Sequence, residues 1–181
     1  MRIIGGKHRG RVLAEFKGEE IRPTADRVKE SVFNILAARL FGARVLDLFC
    51  GSGALGVECI SRGAAECVFN DCSKESVAVL LQNVKKVGEA DKCAVHTLDY
   101  RVCLSRLTGQ FDVVFLDPPY RFDYGKIAAE EILKRGLLKK GGVIVYERDE
   151  PYCPSGAFEE NVDVRVKKYG KTYVSFLTVK E

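Results

Sequence analysis

Short apolar runs alternate along this chain with segments whose apolar residues recur at the helical period. The runs at 44–48, 66–70, 93–98, 111–116 and 143–147 are rich in Val, Leu, Ile and Phe and too short for helices, so they predict buried strands. Helices are predicted between them at 54–62, at 73–87 with Ser73 as cap, near 100–107, and at 126–138. Ahead of these, Pro23-Thr24 opens a helix over 23–40 in which Val28, Val32, Ile35 and Leu36 share one face. Gly141-Gly142 predicts a turn before the fifth run, and strands at 161–168 and 172–179 meet across Tyr169-Gly170-Lys171 as an antiparallel hairpin. Strand-helix alternation closed by a hairpin predicts a Rossmann-like α/β fold, a mainly parallel sheet with an antiparallel edge. There are no repeats and no low-complexity linker, and 181 residues suit a single domain: a basic hairpin at 1–20, the helix at 23–40, and a core at 44–181.

In such sheets ligands gather at the carboxyl ends of the strands. Asp47, Asp71, Asp99 and Asp117 all fall at or just beyond predicted strand ends, so they share one rim. Between the first two lies Cys50-Gly51-Ser52-Gly53-Ala54-Leu55-Gly56, a turn that opens a helix. Glycine at positions 51 and 53 allows positive φ and close approach of a ligand to free backbone N–H groups. The Gly-x-Gly-x-x-Gly spacing also suits a dinucleotide. An acid four residues before the first glycine repels a pyrophosphate and attracts a cation, while Asp71 lies where a carboxylate takes a ribose diol. The pair therefore favours S-adenosylmethionine over NAD.

Asp117-Pro118-Pro119-Tyr120 closes the run Val113-Val114-Phe115-Leu116. An exocyclic amine conjugated to a base is a poor nucleophile, and two acceptors set against its N–H bonds draw it toward sp3 geometry. The Asp117 carboxylate and the Pro118 carbonyl, held by proline-restricted backbone, supply such acceptors. Tyr120 supplies a face on which the base stacks, worth ~1–3 kcal/mol. The same four residues also make a good strand-terminating turn, and a helix N-cap is a competing use of Asp99.

Taken together these segments resemble the class I S-adenosylmethionine-dependent methyltransferases and, within them, the RsmD-type 16S rRNA guanine-N2 methyltransferases. The resemblance spans the chain: Arg2-Ile3-Ile4-Gly5-Gly6 with Arg9-Gly10, Arg22-Pro23-Thr24-x-Asp26-Arg27-Val28-x-Glu30-x-x-Phe33-Asn34, the glycine turn, Asp112-x-x-Phe115-x-Asp117-Pro118-Pro119-Tyr120, and Tyr169-Gly170-x-Thr172. The glycine turn is common to very many methyltransferases; the Arg-Pro-Thr-x-Asp-Arg segment is the specific one. The resemblance implies a seven-stranded sheet with helices on both faces and methylation of the guanine at position 966 of small-subunit rRNA on its N2 amino group. It implies a cofactor set of Asp47, Phe49, Gly51, Ser52, Gly53, Asp71, Cys72 and Asp99, with Asp99 meeting the adenine amino group. The catalytic set is Asp117, Pro118, Pro119 and Tyr120. The small size of the chain suggests that a ribonucleoprotein surface of the assembling small subunit helps recognition.

Charge adds a candidate RNA surface. The net charge of +4 says little, but Arg2, Lys7, Arg9 and Arg11 cluster ahead of the first acidic residue. A solvated tail is the ordinary reading of such a cluster. The flanking Ile3, Ile4, Val12 and Leu13 favour a structured hairpin, with Lys7, Arg9 and Arg11 meeting RNA. The resemblance implies that Arg22 and Arg27 lie over the cofactor rim as further candidates for RNA phosphates, although Arg22, Arg27, Lys29 and Glu30 also read as the polar side of an amphipathic helix. Seven cysteines, an odd number without a C-x-x-C pair, and two histidines do not assemble a metal site. They suit buried thiols in a reducing cytoplasm, and no signal peptide or membrane span is expected. A monomer is the default. Rival readings remain: amino methylation of DNA adenine N6 or protein glutamine, a nicotinamide-dependent oxidoreductase, and a non-catalytic rRNA-binding assembly factor.

Overall fold

Seven strands form one sheet in the order β3-β2-β1-β4-β5-β7-β6 in the computed structural model, which describes residues 1–16, 23–119, 122–152 and 161–180. The elements are α1 (Pro23–Leu40), β1 (Arg44–Asp47), α2 (Ala54–Ser61), β2 (Glu66–Asn70), α3 (Lys74–Val87), β3 (Cys93–His96), α4 (Tyr100–Arg106), β4 (Phe111–Leu116), α5 (Tyr124–Lys134), β5 (Leu138–Arg148), β6 (Val162–Tyr169) and β7 (Thr172–Val179). Strands β1 to β5 pair in parallel, and β7 runs antiparallel to both β5 and β6. The predicted fold class and terminal hairpin are therefore observed.

Alternate residues of each strand face opposite layers. Val45, Phe69, Phe115 and Val143 pack with Phe33 and Leu36 of α1, Val57 and Ile60 of α2, and Leu80 of α3. On the other face Leu46, Val68, Val114 and Ile144 pack with Leu104 of α4 and Ala128 and Ile132 of α5. Burial of each large side chain here is worth ~1.5–3 kcal/mol, which makes this double-faced core the source of the fold's stability.

The differences from the sequence expectations have local causes. Strand β3 stops at His96, not residue 98, because the buried Asn70 carboxamide takes over at Leu98: its Nδ2 donates to the Leu98 carbonyl (3.1 Å) and its Oδ1 accepts the Leu98 N–H (3.3 Å). Helix α5 ends at Lys134 rather than 138 because Gly136 turns with φ 63° and Leu137-Leu138 join the sheet, where the Phe111 N–H donates to the Leu137 carbonyl (2.8 Å). Strand β5 accordingly begins at Leu138. The predicted Gly141-Gly142 turn survives as an irregularity inside it, between the Phe111–Leu138 and Val113–Val143 pairs.

The amino-terminal arm is ordered against the helices. Arg2 bridges Val12 antiparallel, and the Gly10 N–H donates to the Ile3 carbonyl (2.8 Å). Its anchor is Glu58, fully buried on α2, which accepts from the Ile4 N–H (2.9 Å), the Gly5 N–H (2.8 Å), Lys29 Nζ (3.1 Å) and Arg62 Nε (2.8 Å). Lys29 is thus turned inward and only 5% exposed, which corrects its reading as part of the polar side of α1; Arg27 and Glu30 do face outward. No described helix is long and apolar enough to cross a membrane.

Candidate active site at the carboxyl ends of the strands

The strand order changes direction between β1 and β4, and the two acids that matter most sit on either side of that switch. Asp47 is the last residue of β1; the register pairs it with Phe115, so Asp117 lies two residues further along β4, just past its end. Ligand sites of doubly wound sheets form at such a crevice.

After Asp47 the chain turns through Phe49 and Cys50 into a loop with φ 52° at Gly51 and 81° at Gly53. Only glycine adopts these values without strain. The Gly53 N–H closes the turn onto the Cys50 carbonyl (2.7 Å), and Gly53 gives α2 no side-chain cap, so the side chain that meets the first turn is that of Asp47, at the third amide. A Cβ on Gly51 would meet only the Phe16 ring, at 4.0 Å, whereas one on Gly56 would strike the Phe69 ring at 2.2 Å. The first glycine therefore keeps the approach to the turn open, and the third lets α2 lie close on β2.

The acids hold this turn in place. Asp71, one residue beyond β2, accepts the Gly51 N–H (2.9 Å) at one oxygen and the Ser73 N–H (2.9 Å) at the other. Asp47 is buried and accepts the Gly56 N–H (3.1 Å). Burial raises its pKa to about 7 against the opposing effect of that hydrogen bond, with the Asp71 charge adding to the rise. Asp117 is exposed, although protein packs densely around its carboxyl group. That enclosure, then the charges of Glu147 and Asp47, push its pKa well above the ordinary carboxylate range. Carboxylates whose ionisation is opposed by burial, and further by one another, favour a cationic ligand.

Asp99 caps α4, its carboxylate accepting the Arg101 N–H (2.9 Å) at one oxygen. Ser52 lies in the turn, its carbonyl accepting from Asn83 Nδ2 (2.9 Å). Cys72 is exposed ahead of α3, and burial together with Asp47 and Asp71 raises the Cys50 thiol far out of nucleophilic range. Pro118 is buried and Pro119 exposed. Tyr120 and Arg22 lie outside the described residues.

Two features of the rim escaped the sequence reading. Asn70 also donates to the Leu48 carbonyl (3.2 Å), so one side chain ties the ends of β1, β2 and β3 together. An aromatic row runs from Phe49 to Tyr100 (5.4 Å), Tyr124 (5.3 Å) and Phe122 (4.7 Å, stacked). A buried Asn at a strand end is the available signal for the first. The second joins residues from three separate segments and has no local signature.

The basic arm is not part of this rim. The Lys7 N–H donates to the Ser61 carbonyl (2.7 Å) at the end of α2, and Arg11 Nη1 donates to the Lys86 carbonyl (2.5 Å) in the last turn of α3. Glu89, ahead of β3, pairs with Lys7 (2.7 Å), His8 (3.0 Å) and Lys92 (2.8 Å), which hold its pKa down to about 2. The amino end of β3 and the carboxyl end of β4 are three strand spacings and a strand length apart, roughly 20 Å at ~4.8 Å per spacing and ~3.3 Å per residue.

Known proteins are similar to this chain in sequence and fold. The family model described as "Conserved hypothetical protein 95" matches residues 1–178. The Bacillus subtilis protein YlbH is 36% identical over 179 residues, 97% of each chain. The ribosomal RNA small subunit methyltransferase D of Haemophilus influenzae is 36% identical over 159 residues, 83% of this chain and 81% of that protein. Among solved structures, the Escherichia coli protein yhhF is 30% identical with a TM-score of 0.88, covering 99% of this chain and 98% of that one. The S-adenosylhomocysteine-bound Podospora anserina methyltransferase PaMTH1 shares the fold at 19% identity, with a TM-score of 0.68 over 88% of this chain and 83% of that one.

Proposed function

The chain belongs to the RsmD family of S-adenosylmethionine-dependent rRNA methyltransferases, and on that footing we propose that it methylates the N2 amino group of a guanine in 16S rRNA, the guanine at position 966. The observation that carries this reading is the adjacency of Asp117-Pro118-Pro119 and the glycine turn across the β1–β4 switch. One set of residues suits an adenosyl ligand and the other an amine on a flat base.

The residues fit the cofactor. The open backbone at Gly51, the start of α2 and the buried Asp47 suit its amino-acid end, and Asp71 and Asp99 suit ribose and adenine. When bound, S-adenosylmethionine supplies a methyl group on a cationic sulfonium. Burial first, and neighbouring carboxylates second, hold Asp117 and Asp47 toward their neutral forms, and a cation bound between them would favour the ionised Asp117 that the target amine needs as acceptor. Asp117 and the Pro118 carbonyl then take the two amine N–H bonds and localise the nitrogen lone pair, while Tyr120 stacks on the base. With the cofactor bound, the methyl group would pass to this nitrogen as the C–S bond breaks, and Asp117 or water would take the surplus amine proton. Catalysis is positioning and polarisation, with no separate base. The guanine is exposed or unstacked before it enters. Arg22 and Arg27 serve RNA phosphates, and a small-subunit particle serves as the substrate of a monomeric enzyme.

The test is methyl transfer from labelled S-adenosylmethionine into small-subunit particles from cells lacking this enzyme, followed by nucleoside digestion and mass spectrometry. N2-methylguanosine at one position is the expected product. Label in N6-methyladenine, in DNA or in a protein glutamine would replace the reading.

A further inference from the structure

The basic patch around the arm extends beyond the residues that sequence clustering picks out. Lys85 and Lys86, both exposed in the last turn of α3, stand beside Arg11, whose guanidinium donates to the Lys86 carbonyl. Arg9 is exposed at the arm's turn, and neither it nor Lys85 nor Lys86 has an ion-pair partner among the described residues. Nearby acids do little to neutralise the surface. Glu89 is 7% exposed and already shared by Lys7, His8 and Lys92, which leaves Asp91 as the exposed carboxylate of this edge.

We propose that Arg9, Lys85 and Lys86 form a second contact for the rRNA phosphate backbone, remote from the reacting base. Buried Glu89 holds the arm against α3 and thereby fixes the spacing of these cations. A rigid, unpaired cluster of cations suits a polyanion, because little order is lost on binding and counterions are released. The separation from Asp117, roughly 20 Å from the strand geometry, places these cations well beyond the phosphates that flank the target nucleotide. The patch therefore reads folded RNA elsewhere on the particle. This rests on the proposed rRNA substrate and makes recognition bipartite.

The experiment compares Lys85→Ala/Lys86→Ala with wild type for binding to unmethylated small-subunit particles and to a short single-stranded RNA carrying the target guanine, across a salt series. On particles the slope of log affinity against log salt is expected to fall by about 1.4–1.8, that is ~0.7–0.9 for each lost phosphate contact. On the short RNA the slope is unchanged. Lys85→Arg/Lys86→Arg keeps the wild-type slope on both, which separates a charge effect from the favourable placement of these lysines at the end of α3. An unchanged slope on particles, or an equal loss on the short RNA, overturns the proposal. Failure of the rRNA reading shows separately, as wild-type enzyme that transfers no methyl group to either RNA whatever its binding slopes.

Discussion

Replacing Asn83 tests how the arm and the cofactor turn are joined. Its fully buried carboxamide accepts the Ala14 N–H (2.7 Å) and donates to the Ala14 carbonyl (3.1 Å) and the Ser52 carbonyl (2.9 Å). Asn83→Ala removes three hydrogen bonds worth about 1 kcal/mol each net, so a loss of about 3 kcal/mol is expected. For a chain of this length each kcal/mol moves Tm by ~2–4 °C, which gives a Tm lower by about 6–12 °C in a calorimetric scan. The bond to Ser52 also braces the turn, and losing ~1 kcal/mol of that bracing weakens S-adenosylmethionine about fivefold by titration calorimetry. Asn83→Asp should be worse than Ala on both measures, since it sets a buried carboxylate against two carbonyls. A Tm within 2 °C of wild type would refute the hydrogen-bond accounting. Unchanged cofactor affinity at a lowered Tm would refute the link to the turn.

Other expectations follow from single groups. Asp47 holds its proton up to about pH 7, so a cationic cofactor that needs the ionised form should bind about tenfold more tightly at pH 8 than at pH 6, and Asp47→Asn should flatten that dependence in calorimetry. The sign for folding is opposite: a raised carboxylate pKa makes stability fall as pH rises from its unfolded value near 3.8 to about 7, and denaturant midpoints in Asp47→Asn should lose that slope. Glu58→Ala strands Lys29 and Arg62 and should lose about 3–5 kcal/mol in urea unfolding, whereas Glu58→Ala with Lys29→Met should recover part of it. Asp71→Ala should weaken S-adenosylmethionine by tenfold or more, the equivalent of ~1.5–3 kcal/mol; unchanged affinity would remove it from the ribose site.

What the sequence revealed follows from the range of the interactions involved. Strands β2 and β4 begin and end where predicted because each is an apolar run bounded by polar residues, and Ser73 caps α3 through a hydrogen bond to Ser76 only three residues away. Four acids on one rim were legible because a strand end is a local feature. Long-range polar contacts were not. Asn83 meets Ala14 across 69 positions, Glu58 meets Ile4 across 54, and Lys29 looks like any exposed helical lysine until Glu58 is set beside it. The location of the arm was hidden for the same reason: its cations are obvious, but Glu89, which holds them to the far end of the sheet, is 82 residues from Lys7.

Single-turnover methyl transfer by Asp117→Ala, at saturating S-adenosylmethionine and with cofactor affinity measured on the same preparation, tests the central assignment most directly. The expected result is cofactor affinity within a few-fold of wild type and no methyl transfer to small-subunit particles, because the carboxylate acts on the target amine. Transfer at the wild-type rate would mean that Asp117-Pro118-Pro119 serves only to end β4, and that the amine is activated elsewhere.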